Sequence, residues 1–326
     1  MSPIIEAKGL TRMFGKLTAV NNISFSVEPG EIFGLLGPNG AGKSTTLSML
    51  CTILRPTAGT AVINSYNVVE RPARVRKSIG IVFQDPSLDD RLTGLENLQM
   101  HGNLYGVPRG SMKGRIDDVL ELVELSDRAN DQVRTYSSGM RRRLEIARAL
   151  IHYPKVLFLD EPTIGLDPQS RDHIWTYITG LKKQEGITII LTSHYLDEAD
   201  KLCDRISIVD HGNIVAMDTP HNLKKQLEGE TILLRSNNNA MLAAKVEVAG
   251  LADKISAKDG ELKINVKDAR KTMPRIIEIA VANQVFIESF ELREPNLDDV
   301  FLHYTGRGLR QSAKESPIAA YGRRSR

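Results

Sequence analysis

Cysteine is scarce in this sequence, and long apolar runs are missing from it. The two cysteines, Cys51 and Cys203, lack CxxC spacing, which argues against a zinc site. We expect both to be small buried hydrophobic residues in a reducing compartment. No apolar run approaches the roughly 18–20 residues that a helix needs to cross a bilayer. Residues 1–9 lack the apolar core of a signal peptide, so we expect a cytosolic chain that cannot move a solute across a membrane alone.

An excess of charge is also missing from most of the chain. The net charge is +3, and residues 306–326 alone carry +5 because they contain six basic residues and one acidic residue. The rest of the chain therefore carries about −2, so no nucleic-acid-binding surface is expected on the folded part. The segment 306–326 has no apolar periodicity and is predicted to be a disordered basic tail. Binding of this tail to lipid headgroups is an alternative.

Short apolar segments alternate with amphipathic helical patterns over the first two thirds of the chain, which predicts an α/β fold with a largely parallel sheet. The buried-strand candidates are Ile32–Leu36, Ile79–Phe83, Val156–Leu159, Ile187–Leu191 and Arg205–Val209. Residues 112–151 carry helical patterns without a strand candidate. We therefore expect a first domain over residues 1–228, with a helical subdomain inserted at about 90–152.

The pattern changes after Met217. Strand and helix candidates then follow in the order βαββαβ, which predicts a small ferredoxin-like α+β domain over residues 229–305. Near its end, Asn296 precedes Leu297-Asp298-Asp299, as expected for a helix N-cap followed by acidic residues in the first turn.

The segment after the first buried strand matches the phosphate-loop pattern GxxxxGK[ST] in full. Its residues are Gly37, Pro38, Asn39, Gly40, Ala41, Gly42, Lys43, Ser44 and Thr45. Such a loop points consecutive backbone N–H groups at a triphosphate, and glycine adopts the φ values that this requires. We expect Lys43 to reach the β- and γ-phosphates of ATP and the Ser44 hydroxyl to bind Mg²⁺.

A second anchor is the apolar segment Val156–Leu159 followed by two acids, Asp160 and Glu161. The carboxyl edge of a parallel sheet is where such folds bind ligands. We expect Asp160 to hold Mg²⁺ and Glu161 to act on the attacking water as general base. Alone this pattern is weak evidence, but beside a phosphate loop it is strong.

Other segments resemble the conserved elements of ABC ATPases. Tyr136-Ser137-Ser138-Gly139-Met140 resembles the LSGGQ signature, and a basic helix follows it. The remaining matches are Gln84 at the Q-loop glutamine, Ile164-Gly165-Leu166-Asp167 at the D-loop, His194 at the switch histidine and Phe14 at the aromatic residue that packs on adenine. These elements occur in the family's order over residues 4–227, so the chain is identified as a phosphate-loop NTPase of the ABC type.

The resemblance implies a head-to-tail homodimer that forms on ATP. In that arrangement Ser137 and Gly139 of one subunit face the phosphate loop of the other across each nucleotide. His194 is then expected to contact the γ-phosphate and the water, and Gln84 to bind Mg²⁺ and couple the nucleotide to a surface groove. The signature departs from the family pattern at Ser138, which stands in place of a glycine. If that position needs φ > 0, Ser138 is strained.

Two segments resemble the daunorubicin-resistance-type exporter ATPases in particular. They are residues 136–144, YSSGMRRRL, and the ending 294–302, EPNLDDVFL. Family members of this type drive a separate membrane permease, which implies export of a drug, lipid or other hydrophobic cargo and a location on the cytoplasmic side of the membrane. The alternatives are an importer ATPase and a soluble ABC ATPase that acts on ribosomes or DNA. No specific nucleic acid is expected as a partner.

Overall fold

The computed structural model describes residues 2–85, 87–227, 229–258 and 260–306. The described chain divides into two compact units, one ending at Pro220 and the other spanning His221–Gly306. This boundary lies earlier than the expected residue 228, because Gln226 of the intervening helix accepts a hydrogen bond from the Tyr304 hydroxyl at 2.6 Å. The predicted tail, apart from Gly306, lies outside the described residues. Within the described ranges, no helix combines the length and the hydropathy of a membrane span.

The first unit contains two sheets. Its strands are β1 (Ile5–Phe14), β2 (Leu17–Val27), β3 (Ile32–Leu36), β4 (Ala58–Ile63), β5 (Tyr66–Asn67), β6 (Ile79–Val82), β7 (Val156–Asp160), β8 (Thr188–Ser193), β9 (Arg205–Asp210) and β10 (Asn213–Asp218). An antiparallel sheet has the order β2-β1-β4-β5, and the larger sheet has the order β10-β9-β3-β8-β7-β6. The strands from β9 to β6 in this larger sheet are parallel, and β10 pairs antiparallel with β9.

The central strands of the larger sheet are mostly apolar because both of their faces are covered. Every residue of β3, β7 and β8 is buried. Between the two sheets, Phe25 of β2 stacks on Phe33 of β3 with ring centroids 5.4 Å apart. The parallel order brings the carboxyl ends of β3, β6, β7 and β8 to one edge. The phosphate loop, Gln84, Glu161 and His194 follow these strand ends.

Helices surround the larger sheet and form a separate group between β6 and β7. The helices of this unit are α1 (Lys43–Leu50), α2 (Pro72–Ser78), α3 (Gly94–Tyr105), α4 (Arg109–Leu122), α5 (Ser138–Leu150), α6 (Pro168–Glu185) and α7 (Leu196–Leu202). The group of α3, α4 and α5 buries apolar side chains such as Leu98, Val119 and Leu144. Thr93 begins α3 with a capping box that includes Glu96, so the start of this group is defined locally.

The second unit has the predicted βαββαβ order. After α8 (Pro220–Gln226), its elements are β11 (Glu230–Ser236), α9 (Asn239–Val248), β12 (Lys254–Lys258), β13 (Glu261–Val266), α10 (Ala269–Ala282), β14 (Ile287–Arg293) and α11 (Leu297–Thr305). The antiparallel sheet has the order β12-β13-β11-β14. Ile232, Leu234, Val246, Ile264 and Ile276 are fully buried in its core.

Asn296 is the N-cap of α11, as its position in the sequence predicts. Its side chain accepts from the Asp299 N–H at 2.9 Å, and the Asp299 carboxylate accepts from the Asn296 N–H at 3.1 Å. Replacing such a cap by alanine costs about 1 kcal/mol. For Asn296→Ala we therefore expect amide hydrogen exchange in α11 to become about fivefold faster.

Hydrogen exchange is the suitable measurement here, because global unfolding of a chain with two units does not report on one helix end. Asn296→Ser is the matched control, since serine keeps a capping oxygen and should leave exchange close to that of the wild type. Equal protection of α11 in the alanine and serine variants would show that the cap does not stabilise this helix.

Candidate active site

Backbone geometry explains the glycines of the loop between β3 and α1. Gly37, Gly40 and Gly42 have φ values of 152°, 82° and 108°, which residues with a side chain rarely adopt. Space is also restricted, because a Cβ at Gly37 would collide with the Val209 carbonyl oxygen and one at Gly42 would lie 2.5 Å from the Ala19 carbonyl oxygen. The loop leads directly into α1, whose unpaired N–H groups favour an anion.

Lys43 is buried at the start of α1. Its Nζ donates to the carbonyl oxygens of Gly37 at 2.7 Å and Pro38 at 3.2 Å, and it lies 3.5 Å from Glu161 Oε1. Burial lowers the pKa of Lys43 below its usual value, although the carboxylates of Glu161 and Asp160 partly oppose this effect. The ammonium is therefore held between the phosphate loop and the end of β7.

Asp160 joins three elements of the site. Its Oδ1 accepts from Ser44 Oγ of α1 at 3.1 Å and from Thr192 Oγ1 of β8 at 2.5 Å. The Thr192 hydroxyl also accepts from the Glu161 N–H at 3.0 Å. Sequence reasoning assigned no role to Thr192. The signal that could have revealed one is a threonine that directly follows the apolar run Ile189–Leu191 at the carboxyl end of β8, two residues before His194.

Glu161 and His194 are in direct polar contact in the site. His194 Nδ1 lies 2.7 Å from Glu161 Oε2. Burial would raise the pKa of Glu161, but the hydrogen bond with His194 and the Lys43 charge together lower it below its ordinary value. Glu161 is therefore ionised at neutral pH, which is the state that a general base requires.

A cleft of about 350 Å³ lies over the phosphate loop. Of the predicted site residues, its lining includes Pro38, Asn39, Gly40, Gly42, Lys43, Ser44, Thr45, Gln84 and Glu161. Gly37 and Ala41 belong to the loop but do not line the cleft. Sequence reasoning missed the other walls, which are the β2 residues 17–19 and the β9–β10 turn residues His211 and Gly212. These walls come from distant parts of the chain and carry no motif.

Phe14 lies beside this cleft without lining it. Its ring is 43% exposed, and the Arg12 guanidinium lies 4.6 Å from the ring centroid. Its cross-strand neighbour Leu17 does line the cleft. An aromatic contact to a base from Phe14 therefore stays a prediction.

The signature segment lies at a different pocket. Ser137 is the N-cap of α5 and accepts from the Met140 N–H at 3.2 Å. Together with Gly139, Ser170 and His173 it lines a small pocket that contains no phosphate-loop residue. Ser138 is the first residue of α5 and does not have a positive φ. The strain considered for a positive φ at this position is therefore absent, because the helical conformation suits serine as well as glycine.

The donor set at the end of β7 fits a magnesium ion that arrives with phosphates. Ser44 Oγ and Asp160 Oδ1 lie 3.1 Å apart, and Gln84 stands in the wall of the same cleft. Among the described residues, no group of three or more His, Cys, Asp or Glu side chains could hold a metal. Mg²⁺ often binds through one or two protein oxygens plus substrate phosphates, which matches this arrangement.

Comparison with known proteins identifies the class to which this fold and site belong. The family model described as "ABC transporter" matches residues 20–164. The linearmycin resistance ATP-binding protein LnrL of Bacillus subtilis is 41% identical over 94% of this chain and 100% of its own length. The chain belongs to the ATP-binding proteins of the ABC transporter family, and it is an ATPase of that family.

The second unit narrows the identification. Residues 219–305 match the model "ATP-binding protein DrrA1-3-like, C-terminal domain". The daunorubicin/doxorubicin resistance ATP-binding protein DrrA of Streptomyces peucetius is 38% identical over 97% of this chain and 98% of its own length. Within its family, this chain therefore belongs with the DrrA-like ATP-binding proteins.

Solved structures agree with the assignment of the first unit to the ABC transporter family. The cbiO1 subunit of the Clostridium perfringens cbiONQ complex is 28% identical and covers 69% of this chain and 92% of its own, with a TM-score of 0.65. A dimeric ATP-binding cassette with bound ADP and phosphate is 26% identical and covers 66% and 98% of the two chains, with a TM-score of 0.60. The chain accordingly has the nucleotide-binding fold of these cassettes.

The Thr192 hydroxyl provides a test of the site geometry. In Thr192→Val, Asp160 and the Glu161 N–H both lose a buried partner at nearly unchanged side-chain volume. We expect ATP turnover to fall at least about tenfold, because small displacements of reacting groups have large kinetic effects. The measurement is steady-state phosphate release.

Thr188→Val is the matched control, because Thr188 lies at the other end of β8 and its hydroxyl accepts a hydrogen bond from the Gly30 N–H, which is not part of the site. That variant should keep turnover within about twofold of the wild type. Equal turnover in the two variants would contradict the role assigned to Thr192.

Proposed function

We propose that this chain hydrolyses ATP as a head-to-tail homodimer and so drives a separate polytopic permease that exports a drug, a lipid or another hydrophobic compound. The observation that carries the proposal is the position of Glu161 at the cleft, where it contacts both His194 (2.7 Å) and Lys43 (3.5 Å). A carboxylate between a histidine and a phosphate-loop lysine is suited to activating water beside a phosphate.

The phosphate loop and α1 bind the nucleotide in this proposal. Backbone N–H groups of residues 37–45 and the N-terminal end of α1 surround the phosphates, and Lys43 leaves its loop carbonyls to neutralise the β- and γ-oxygens. Ser44, Asp160 and Gln84 would hold Mg²⁺, which when bound neutralises charge on the phosphates during transfer. Phe14 would pack on the adenine.

Glu161 and His194 carry out the proton chemistry. Glu161 orients the attacking water and accepts its proton, while His194 holds the carboxylate and contacts the γ-phosphate. The lowered pKa of Glu161 keeps this base ionised at neutral pH. The protein contributes mainly position and charge, as in other phosphoryl transfers.

A second copy of the chain completes each site. Ser137 and Gly139 do not line the phosphate-loop cleft of their own subunit, so they act on the nucleotide of a partner. The dimeric relative with bound ADP and phosphate supports a two-fold assembly for this chain. Hydrolysis would then remove the γ-phosphate from between the subunits and release the interface.

The export assignment is supported by the second unit and by the names of relatives. Two relatives are named for resistance to linearmycin and to daunorubicin or doxorubicin, and a third is a Nod factor export ATP-binding protein of Ralstonia nicotianae that is 38% identical. We propose a drug, a lipid or another hydrophobic compound as the cargo. The chain would act at the cytoplasmic face of the membrane, held there by its permease.

Replacing Glu161 tests the chemistry. For Glu161→Gln we expect turnover to fall at least about a thousandfold while ATP binding is kept, since the amide cannot accept the proton. The variant should form a dimer with ATP in sizing chromatography, because hydrolysis no longer releases it. Glu121→Gln, on the exposed face of α4, should behave as the wild type. Wild-type turnover in Glu161→Gln would remove Glu161 from its assigned role.

The export proposal is tested by identifying the proteins that bind this chain in its own cell. A tagged full-length chain, purified from detergent-solubilised membranes, should bring down a polytopic membrane protein that mass spectrometry identifies. An untagged strain processed in parallel is the control. Recovery of ribosomal or DNA-repair proteins in place of such a permease would contradict export and leave the ATPase assignment intact.

A further inference from the structure

Arg142 of α5 is a buried arginine whose five N–H groups all have partners. Its donors reach four main-chain carbonyls and one carboxylate, which is the full donor capacity of a guanidinium. The acceptors are Pro162 O (2.8 Å), Phe83 O (2.6 Å), Glu145 Oε2 (2.8 Å), Asp160 O (3.1 Å) and Glu161 O (3.2 Å). Three of these carbonyls belong to consecutive residues at the end of β7.

The main chain at Glu161 needs such support. Glu161 has a φ of 49°, in the left-handed region that a residue with a side chain occupies only when its surroundings hold it there. Its N–H donates to Thr192 Oγ1 at 3.0 Å, and its carbonyl accepts from Arg142 at 3.2 Å. The peptide groups on both sides of the Glu161 Cα are therefore fixed by side chains from two different elements.

The same arginine also holds the segment that carries Gln84. The carbonyl of Phe83, the residue before Gln84, accepts a hydrogen bond from Arg142. Glu145, the ion-pair partner of Arg142, accepts from the Ser87 N–H at 3.0 Å through its other oxygen. The Arg142–Glu145 pair thus binds this segment at two points, one on each side of Gln84.

We propose that Arg142 is a positioning residue that fixes Glu161 and the Gln84 segment to α5, so that the Glu161 carboxylate meets His194 and Lys43. This inference rests on the proposed role of Glu161 as base. Ser137 caps the same helix, so the residue that would contact the partner's nucleotide and the base of its own subunit are joined by one helix. Lysine cannot replace Arg142, because it has three donors and no planar fork.

The test is steady-state ATPase kinetics of full-length Arg142→Lys. We expect kcat to fall on the order of 100-fold, because a small displacement of a catalytic group has an effect of about that size. The KM for ATP should stay within about threefold of the wild type.

Arg115→Lys is the matched control for loss of a buried guanidinium. Arg115 is as buried as Arg142, with 8% exposed in each case, and it donates to the carbonyls of Leu150 and Ile151 at the other end of α5. Both variants should melt at lower temperature, because both leave buried carbonyls without partners. Only Arg142→Lys should show the kcat loss at a nearly unchanged KM for ATP.

The outcomes separate this inference from the function on which it rests. If Glu161→Gln keeps wild-type turnover, the base assignment is wrong whatever Arg142 does. If Glu161→Gln is inactive while Arg142→Lys loses no more kcat than Arg115→Lys, the positioning role is wrong. Should Arg142→Lys not fold, Glu145→Gln replaces it, with an expected kcat loss of about tenfold. An unchanged kcat in that variant would equally overturn the proposal.

Discussion

A single carboxylate oxygen, Asp160 Oδ1, is shared by Ser44 of α1 and Thr192 of β8. Through it the phosphate loop, β7 and β8 are held in one arrangement at the carboxyl edge of the sheet. The rest of the site depends on this link, because Thr192 also fixes the Glu161 N–H and His194 follows two residues later. A shift of Asp160 would therefore move the phosphate-binding, metal-binding and proton-accepting groups together.

The charges at this edge are costly for the fold. Lys43 and Glu161 are both buried. The free-energy cost of removing such ions from water is larger than the stabilisation that an ion pair at the surface provides. Their mutual contact, the loop carbonyls on Lys43 and the histidine on Glu161 offset part of that cost. Opposed effects of burial and of neighbouring charges on pKa are typical of sites that carry out chemistry.

Much of this arrangement could be predicted because its signals are local. The phosphate loop is a contiguous motif, and parallel strands place their carboxyl ends together, which predicts that Asp160, Glu161 and His194 meet. Arg142 could not be predicted in this way, since a basic helix normally has solvated charges and its acceptors lie in distant segments. The cleft walls of residues 17–19 and the β9–β10 turn also depend on how two sheets pack. The second unit's βαββαβ order followed from the sequence of strand and helix candidates after Met217, whereas its starting point depended on the contact between Gln226 and Tyr304.

In the proposed dimer, each ATP lies between the phosphate loop of one subunit and Ser137 and Gly139 of the other. A structure of Glu161→Gln with Mg²⁺ and ATP tests it most directly. We expect a two-fold dimer in which Ser137 Oγ of one chain lies within hydrogen-bond distance of the γ-phosphate that Lys43 of the other chain binds. A dimer in which Ser137 and Gly139 remain remote from both nucleotides, or a monomer with a complete nucleotide shell, would contradict the account.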